Sequence, residues 1–263
     1  MKLQERVAAS AQLQHIKGSA EQRAAIATNK TEAFVKDFEG IIKEKFEITK
    51  DEFQGLLTKH APGVDVSVHK AKNDAGLLSY KNEGRTFTGY EMFLPTLSYQ
   101  GKEVINGGKK GIIAHEMRHL FDCIVSPKFA ARDNVLTNTK SVLGALKQIK
   151  YAIFYKKNLY SDEKRAPKLE DLKKKIEKAF GLPRATSNEK IETLQQWRYR
   201  LQSEKNAYAD EKRLTKGTDD EQFLLHVVHN FFHLDKKIDA INEVLREEIT
   251  RHRQAHTKRL QKG

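Results

Sequence analysis

His115, Glu116 and His119 fall within five consecutive residues, His115-Glu116-Met117-Arg118-His119. On a helix, a four-residue step returns both imidazoles to one face, within reach of a single metal ion. Zinc suits such a pair, because it accepts imidazole nitrogen and needs no redox change. Glu116, beside the first imidazole, is placed to take a proton from metal-bound water rather than to bind the metal. The expected cofactor is Zn2+, and the expected chemistry is hydrolysis by an activated water. The chain has ten histidines, so an accidental His-x-x-x-His comes easily. One with Glu in second place is rarer.

A catalytic zinc wants three protein ligands and one water. Farther along, Leu194, Trp197, Leu201 and Tyr208 share one face of a predicted helix, and Glu204 falls on that face. An ionised carboxylate on an apolar stripe is costly unless something pairs with it, and zinc would supply the partner. Glu211 lies on nearly the same face and is the alternative, since helical phase alone does not separate the two. Asp122, three residues past His119, is placed to orient a ligand from behind or to solvate the helix end. Tyr199 and Tyr208 are the available hydroxyls for an oxyanion. His226, His229 and His233 form a second group on the last predicted helix, but without a supporting Glu. The single cysteine, Cys123, follows an apolar helix end and fits a small buried side chain better than a nucleophile.

These residues need elements to hold them. Phe34, Val35, Phe38, Ile41, Ile42 and Phe46 follow helical spacing, after a first thirty residues of weak periodicity. Thr49 and Glu52 make a capping box, and Pro62-Gly63 ends the helix it starts. Val64, Val66 and Val68 alternate with polar residues as a half-buried strand does. Leu77 to Tyr80 and Thr86 to Tyr99 predict two more strands. Pro95 lacks a backbone donor, which predicts an edge for the last of them. An extended substrate would lie along that edge, near Tyr90, Phe93 and Leu94. Asn106-Gly107-Gly108 then turns the chain into the His115 helix. All that follows reads as helix. Val142, Leu143, Leu146, Ile149, Ile153 and Phe154 form one stripe. Leu169, Leu172, Ile176 and Phe180 form a second, stopped by Gly181 and Pro183. A long helix is predicted from about Asn188 to Leu214, and a last one runs into the basic tail.

At these residues the chain resembles known metallopeptidases. His115-Glu116-x-x-His119 is similar to the zincin signature. Glu204-Lys205-Asn206-Ala207 resembles the Glu-x-x-Ala element of gluzincins, and His119-Leu120-Phe121-Asp122 resembles the His-x-x-Asp extension found in the anthrax lethal factor catalytic domain group. The resemblance implies zinc on His115, His119 and Glu204, Glu116 as general base, and a zinc endopeptidase acting on a protein or peptide substrate. It also allows a bacterial effector protease delivered into host cells. The fold class expected is α+β, predominantly α. It comprises a zincin-like catalytic domain with a small three-stranded sheet, an active-site helix and a long C-terminal helical part. An N-terminal helical segment would span 1–60 and the catalytic domain 61–263, with a helical insertion at about 128–185.

Bulk properties bound the alternatives. The 263 residues suffice for a sizeable core, and one cysteine excludes both an internal disulfide framework and a Cys-based zinc site. That suits a reducing compartment: the cytoplasm, or a host cytosol reached without a cleavable signal, since no apolar h-region follows Met1. No segment is long and apolar enough to predict a membrane span. The formal net charge of +13 raises a second class, a basic helical module for nucleic acid or a membrane surface. Acids and lysines nonetheless interleave in most segments, and no clear nucleic-acid motif is present. A zinc hydrolase acting on another bond is a third reading. The sequence does not fix an oligomeric state.

Overall fold

The computed structural model describes residues 19–45, 47–72, 76–83, 86–126, 142–160, 166–181, 185–215 and 232–260. They divide into two compact units, one of residues 1–138 and 206–221, the other of residues 139–205 and 222–263.

In the first unit, α1 (Ala20–Lys45) carries the predicted stripe inward, with Phe34, Val35 and Phe38 buried. Phe34 and Phe38 both meet the Phe53 ring edge-on, at centroid distances of 5.5 and 6.1 Å. Phe46 lies outside the described residues. Phe53 belongs to α2 (Lys50–His60), whose first turn is closed by the predicted capping box. The Thr49 N–H donates to Glu52 at 3.1 Å, and the Glu52 N–H to Thr49 Oγ1 at 3.2 Å. These two bonds satisfy donors that a helix start leaves open. The chain leaves α2 through Gly63 at a φ of 76°, where a side chain would be strained.

Three strands follow: β1 (Val66–Lys70), β2 (Leu77–Glu83) and β3 (Thr86–Leu94). Their order is β1-β3-β2, with β1 parallel and β2 antiparallel to β3. The expected edge is corrected here. Thr86 to Tyr99 is not one strand, because Pro95 breaks it. β3 ends at Leu94 in the middle of the sheet, and β4 (Thr96–Tyr99) pairs instead with β5 (Lys102–Ile105) in a separate ribbon. A residue without an N–H interrupts a ladder, and here it does so between sheets rather than at a margin. Tyr90 and Leu94 are buried in the central strand, and Phe93 stacks on His69. None of the three lines an open edge. β5 escapes a sequence reading because its four residues pair two exposed charges with Val104 and Ile105.

A 3-10 turn (Gly107–Lys109) leads into α3 (Lys110–Val125), the motif helix. It is buried almost all round, and α1 packs along it. Cys123 is a buried thiol, as its apolar neighbours predicted.

In the second unit, α4 (Val142–Phe154) runs into a π-helical turn, Tyr155–Leu159. α5 (Leu169–Ala179) packs on α7 (Leu234–Leu260). Trp197, from α6 (Ser187–Leu214), is ringed by Phe154, Phe180 and Tyr151 at 5.2, 5.4 and 6.3 Å. The stripe expected on α4 is found in part: Phe154 meets Trp197, and the side chains of Val142, Leu143 and Leu146 lie outside those described. Ile149 and Ile153 are exposed, while Tyr151 turns inward to the tryptophan, whose large ring offers more apolar contact. α6 is uninterrupted across the boundary of the two units, so its last turns belong to the first. No described helix is long and apolar enough to cross a membrane.

Candidate metal centre

α3 and α6 position the site. His115 and His119, one turn apart, meet with their Nε2 atoms 3.1 Å from each other and their rings edge-on. The last two turns of α6 lie against His115. Tyr208 presents its ring at a centroid distance of 4.6 Å, and Glu211 Oε2 meets His115 Nδ1 at 2.9 Å. One and two turns back on the same helix is Glu204, within about 40° of Tyr208 and about 20° of Glu211 by helical phase. Ligand atoms of His115, His119 and Glu204 all lie within 4.8 Å of one another.

This donor set fits a divalent ion. Bonds of about 2.0–2.1 Å around a tetrahedral zinc separate two ring nitrogens by roughly 3.3 Å, close to the separation found. Glu211 is not in that group, which takes Glu204 instead. It sits behind His115 on the far ring nitrogen, where accepting an Nδ1–H would leave Nε2 free to bind a metal. Metal-binding histidines are held in this way, which fixes tautomer and ring angle. A close approach of helices makes this possible. A Cβ on Gly111 would lie 3.2 Å from Glu211 Cγ and 2.8 Å from Thr215 Cγ2, so α3 meets α6 across a bare backbone.

Glu116 is buried beside the pair, against Gly76 at the start of β2. Asp122 accepts from Arg118 Nε at 3.0 Å. Arg118, 2% exposed along its side chain, also donates to Asp210 Oδ2 and to Thr28 Oγ1, each at 2.7 Å. Asp210 receives Arg213 as well, which pairs with Glu32 of α1. The cluster therefore bolts α3, α1 and the end of α6 together. Burial works to lower the Arg118 pKa, but Asp122 and Asp210 outweigh it and hold the guanidinium charged. Burial raises the Asp210 carboxyl above its ordinary value, with Arg118 pulling against it. Burial likewise pushes the Tyr90 phenol up, which suits a core tyrosine rather than a reacting one.

Sequence reasoning passed over Arg118, Asp210, Tyr160 and Gly76. Tyr160, beside the π-helical turn, donates to Glu204 Oε2 at 3.4 Å. A signal existed for the first two: a charge in the middle of an apolar helix, and an acid six residues past Glu204 and next to Glu211. Of the two tyrosines singled out, Tyr208 touches His115. Tyr199 lies about 140° around α6 from Glu204, nearly the opposite face. His226 and His229 lie outside the described residues. His233 is not on the face of α7 but ahead of it, at a φ of 46°, its carbonyl accepting the Lys237 N–H at 3.2 Å.

The chain matches no protein-family profile, no curated protein and no solved structure.

Proposed function

We propose that the chain is a zinc-dependent endopeptidase whose metal is held by His115, His119 and Glu204. The observation that carries this reading is the gathering of those three ligands within 4.8 Å, with Glu211 behind the first. Bound zinc would supply Lewis acidity toward a peptide carbonyl and toward an attacking water. The protein's own groups do the rest. Glu116 takes the proton of the attacking water and passes it to the leaving amine. Glu211 and Tyr208 keep the His115 ring from turning. The Arg118 cluster holds α6 against α3, so the third ligand stays in register.

The substrate strand is assigned to β2 rather than β3. β2 pairs on one side with β3 and has no second neighbour among the described residues. It begins at Leu77, 56% exposed and next to the Gly76–Glu116 contact, so a peptide added there would lie beside the general base.

Elemental analysis of purified protein, with digestion of an unbiased peptide library, tests the reading. One zinc per chain and chelator-sensitive cleavage are expected. Glu116→Gln keeps the metal and loses roughly 10²–10⁴-fold in turnover. Metal-free protein, or undiminished turnover in that variant, overturns the proposal. Cleavage of a non-peptide bond alone would reassign the substrate and leave the metal centre standing.

A further inference from the structure

We propose that Gly76 is a positioning residue: the bare backbone at this point seats the Glu116 carboxylate, and any side chain there displaces it. The inference rests on the reading of Glu116 as general base but adds a residue that no motif contains.

The observation is one of space. A Cβ built on Gly76 would lie 2.6 Å from Glu116 Cγ, 2.7 Å from Glu116 Oε1 and 2.8 Å from Ile112 Cγ2. Real Cβ atoms do not approach so closely. Ile112 and Glu116 stand one turn apart on α3, so Gly76 lies across the helix face that carries the acid. The reason for glycine is not backbone conformation, because the positive-φ glycines of the described residues are Gly63 and Gly101. Alanine is therefore permitted by the backbone and forbidden by the neighbour.

Which partner would yield follows from stiffness. The nearer of the two colliding Glu116 atoms is Cγ, the second carbon of its side chain, so its relief requires a change at χ1. Helical side chains have few χ1 choices, and this one is 5% exposed. A new rotamer swings the carboxylate away from the position it holds against Gly76. The three atoms nearest a Gly76 Cβ belong to Glu116 and Ile112, not to His115 or His119. The predicted defect thus falls on the proton carrier and spares the metal ligands. A displacement of about 1 Å at a reacting group can cost up to about a hundredfold in rate.

Two measurements test this on the full chain. In the first, the G76A, E116A and G76A/E116A variants are melted after the metal is stripped. G76A is expected to lower the Tm, and removing the Glu116 carbons beyond Cβ to take away roughly half of that fall or more, the remainder being the Ile112 contact. G55A is the control, because a Cβ there meets nothing within 4 Å. An equal fall in both backgrounds overturns the seat. In the second, G76A is compared with the wild type for zinc content and peptide turnover. Unchanged zinc, a kcat lower by roughly tenfold or more and a KM within about threefold support it. Undiminished kcat, or zinc lost in proportion to activity, overturns it. A wild-type protein that holds zinc and cuts no peptide sinks the peptidase reading instead, and the melting cycle still decides whether Gly76 seats Glu116.

Discussion

α3 carries two polar clusters, and their contrast separates what holds this protein together from what it can do. Around Arg118, one guanidinium faces Asp122, Asp210 and Thr28, and each contact is a hydrogen bond of 3.0 Å or shorter. The guanidinium lies buried between two carboxylates, one of which also takes Arg213. Around His115 and His119, groups able to bind a metal converge instead: two ring nitrogens 3.1 Å apart and a carboxylate within 4.8 Å of both. The first arrangement is complete as protein and gains nothing from a ligand. The second gathers two imidazoles and a carboxylate, groups whose lone pairs one bound cation would take up together. The two clusters share a helix pair. The complete one therefore fixes the spacing that the other needs.

The largest effect should come from breaking the complete cluster. Arg118→Met leaves two buried carboxylates without their guanidinium and should cost about 3–5 kcal/mol in urea unfolding, with metal present or absent. A loss under about 1 kcal/mol would mean the cluster is no bolt. Next come the ligand-side acids, where the pattern should reverse. Glu204→Ala and Glu211→Gln should leave the unfolding of metal-stripped protein nearly unchanged. Zinc affinity should fall in both, by about 10–100-fold for Glu211→Gln. A competition titration against a chelator reads this. If Glu211→Gln abolishes binding while Glu204→Ala spares it, the assignment of the third ligand is inverted.

The smallest effect belongs to an exposed polar site, the start of α6. There the Thr186 N–H donates to Glu189 at 2.8 Å and Lys147 pairs with the same carboxylate. Thr186→Ala should cost about 0.5–2 kcal/mol. The Thr186 backbone donor, then Lys147, hold the Glu189 carboxyl below its ordinary value. Its contribution is therefore present above the unfolded carboxylate pKa of about 4.3 and is lost as the pH falls through the lower folded value. Urea midpoints taken across that acid range should fall less in Glu189→Gln than in the wild type.

Much of this was open to a reading of residues in order. The capping box at Thr49, the turn at Gly63, the α6 span and the inward face of α1 all follow from local spacing, and all are found. The strand at β5 and the inward turn of Tyr151 on α4 were not legible. Two apolar residues make too weak a pattern, and the face of a helix is chosen by what lies opposite, here Trp197. Pro95 was read for its missing N–H, which is sound, but a missing donor fits a break as well as a margin.

The sequence alone determined the pairing of His115 with His119 and the place of Glu116 between them, because a four-residue step on a helix is a local geometric fact. It also narrowed the third acid to two residues on one face. Only the tertiary structure decided that Glu204 joins the imidazoles while Glu211 backs one of them. It also showed that Arg118 locks the helices and that a bare glycine abuts the acid. Those outcomes depend on how far apart two helices and a strand come to rest. Separation between elements is set by packing, and packing has no period in the chain.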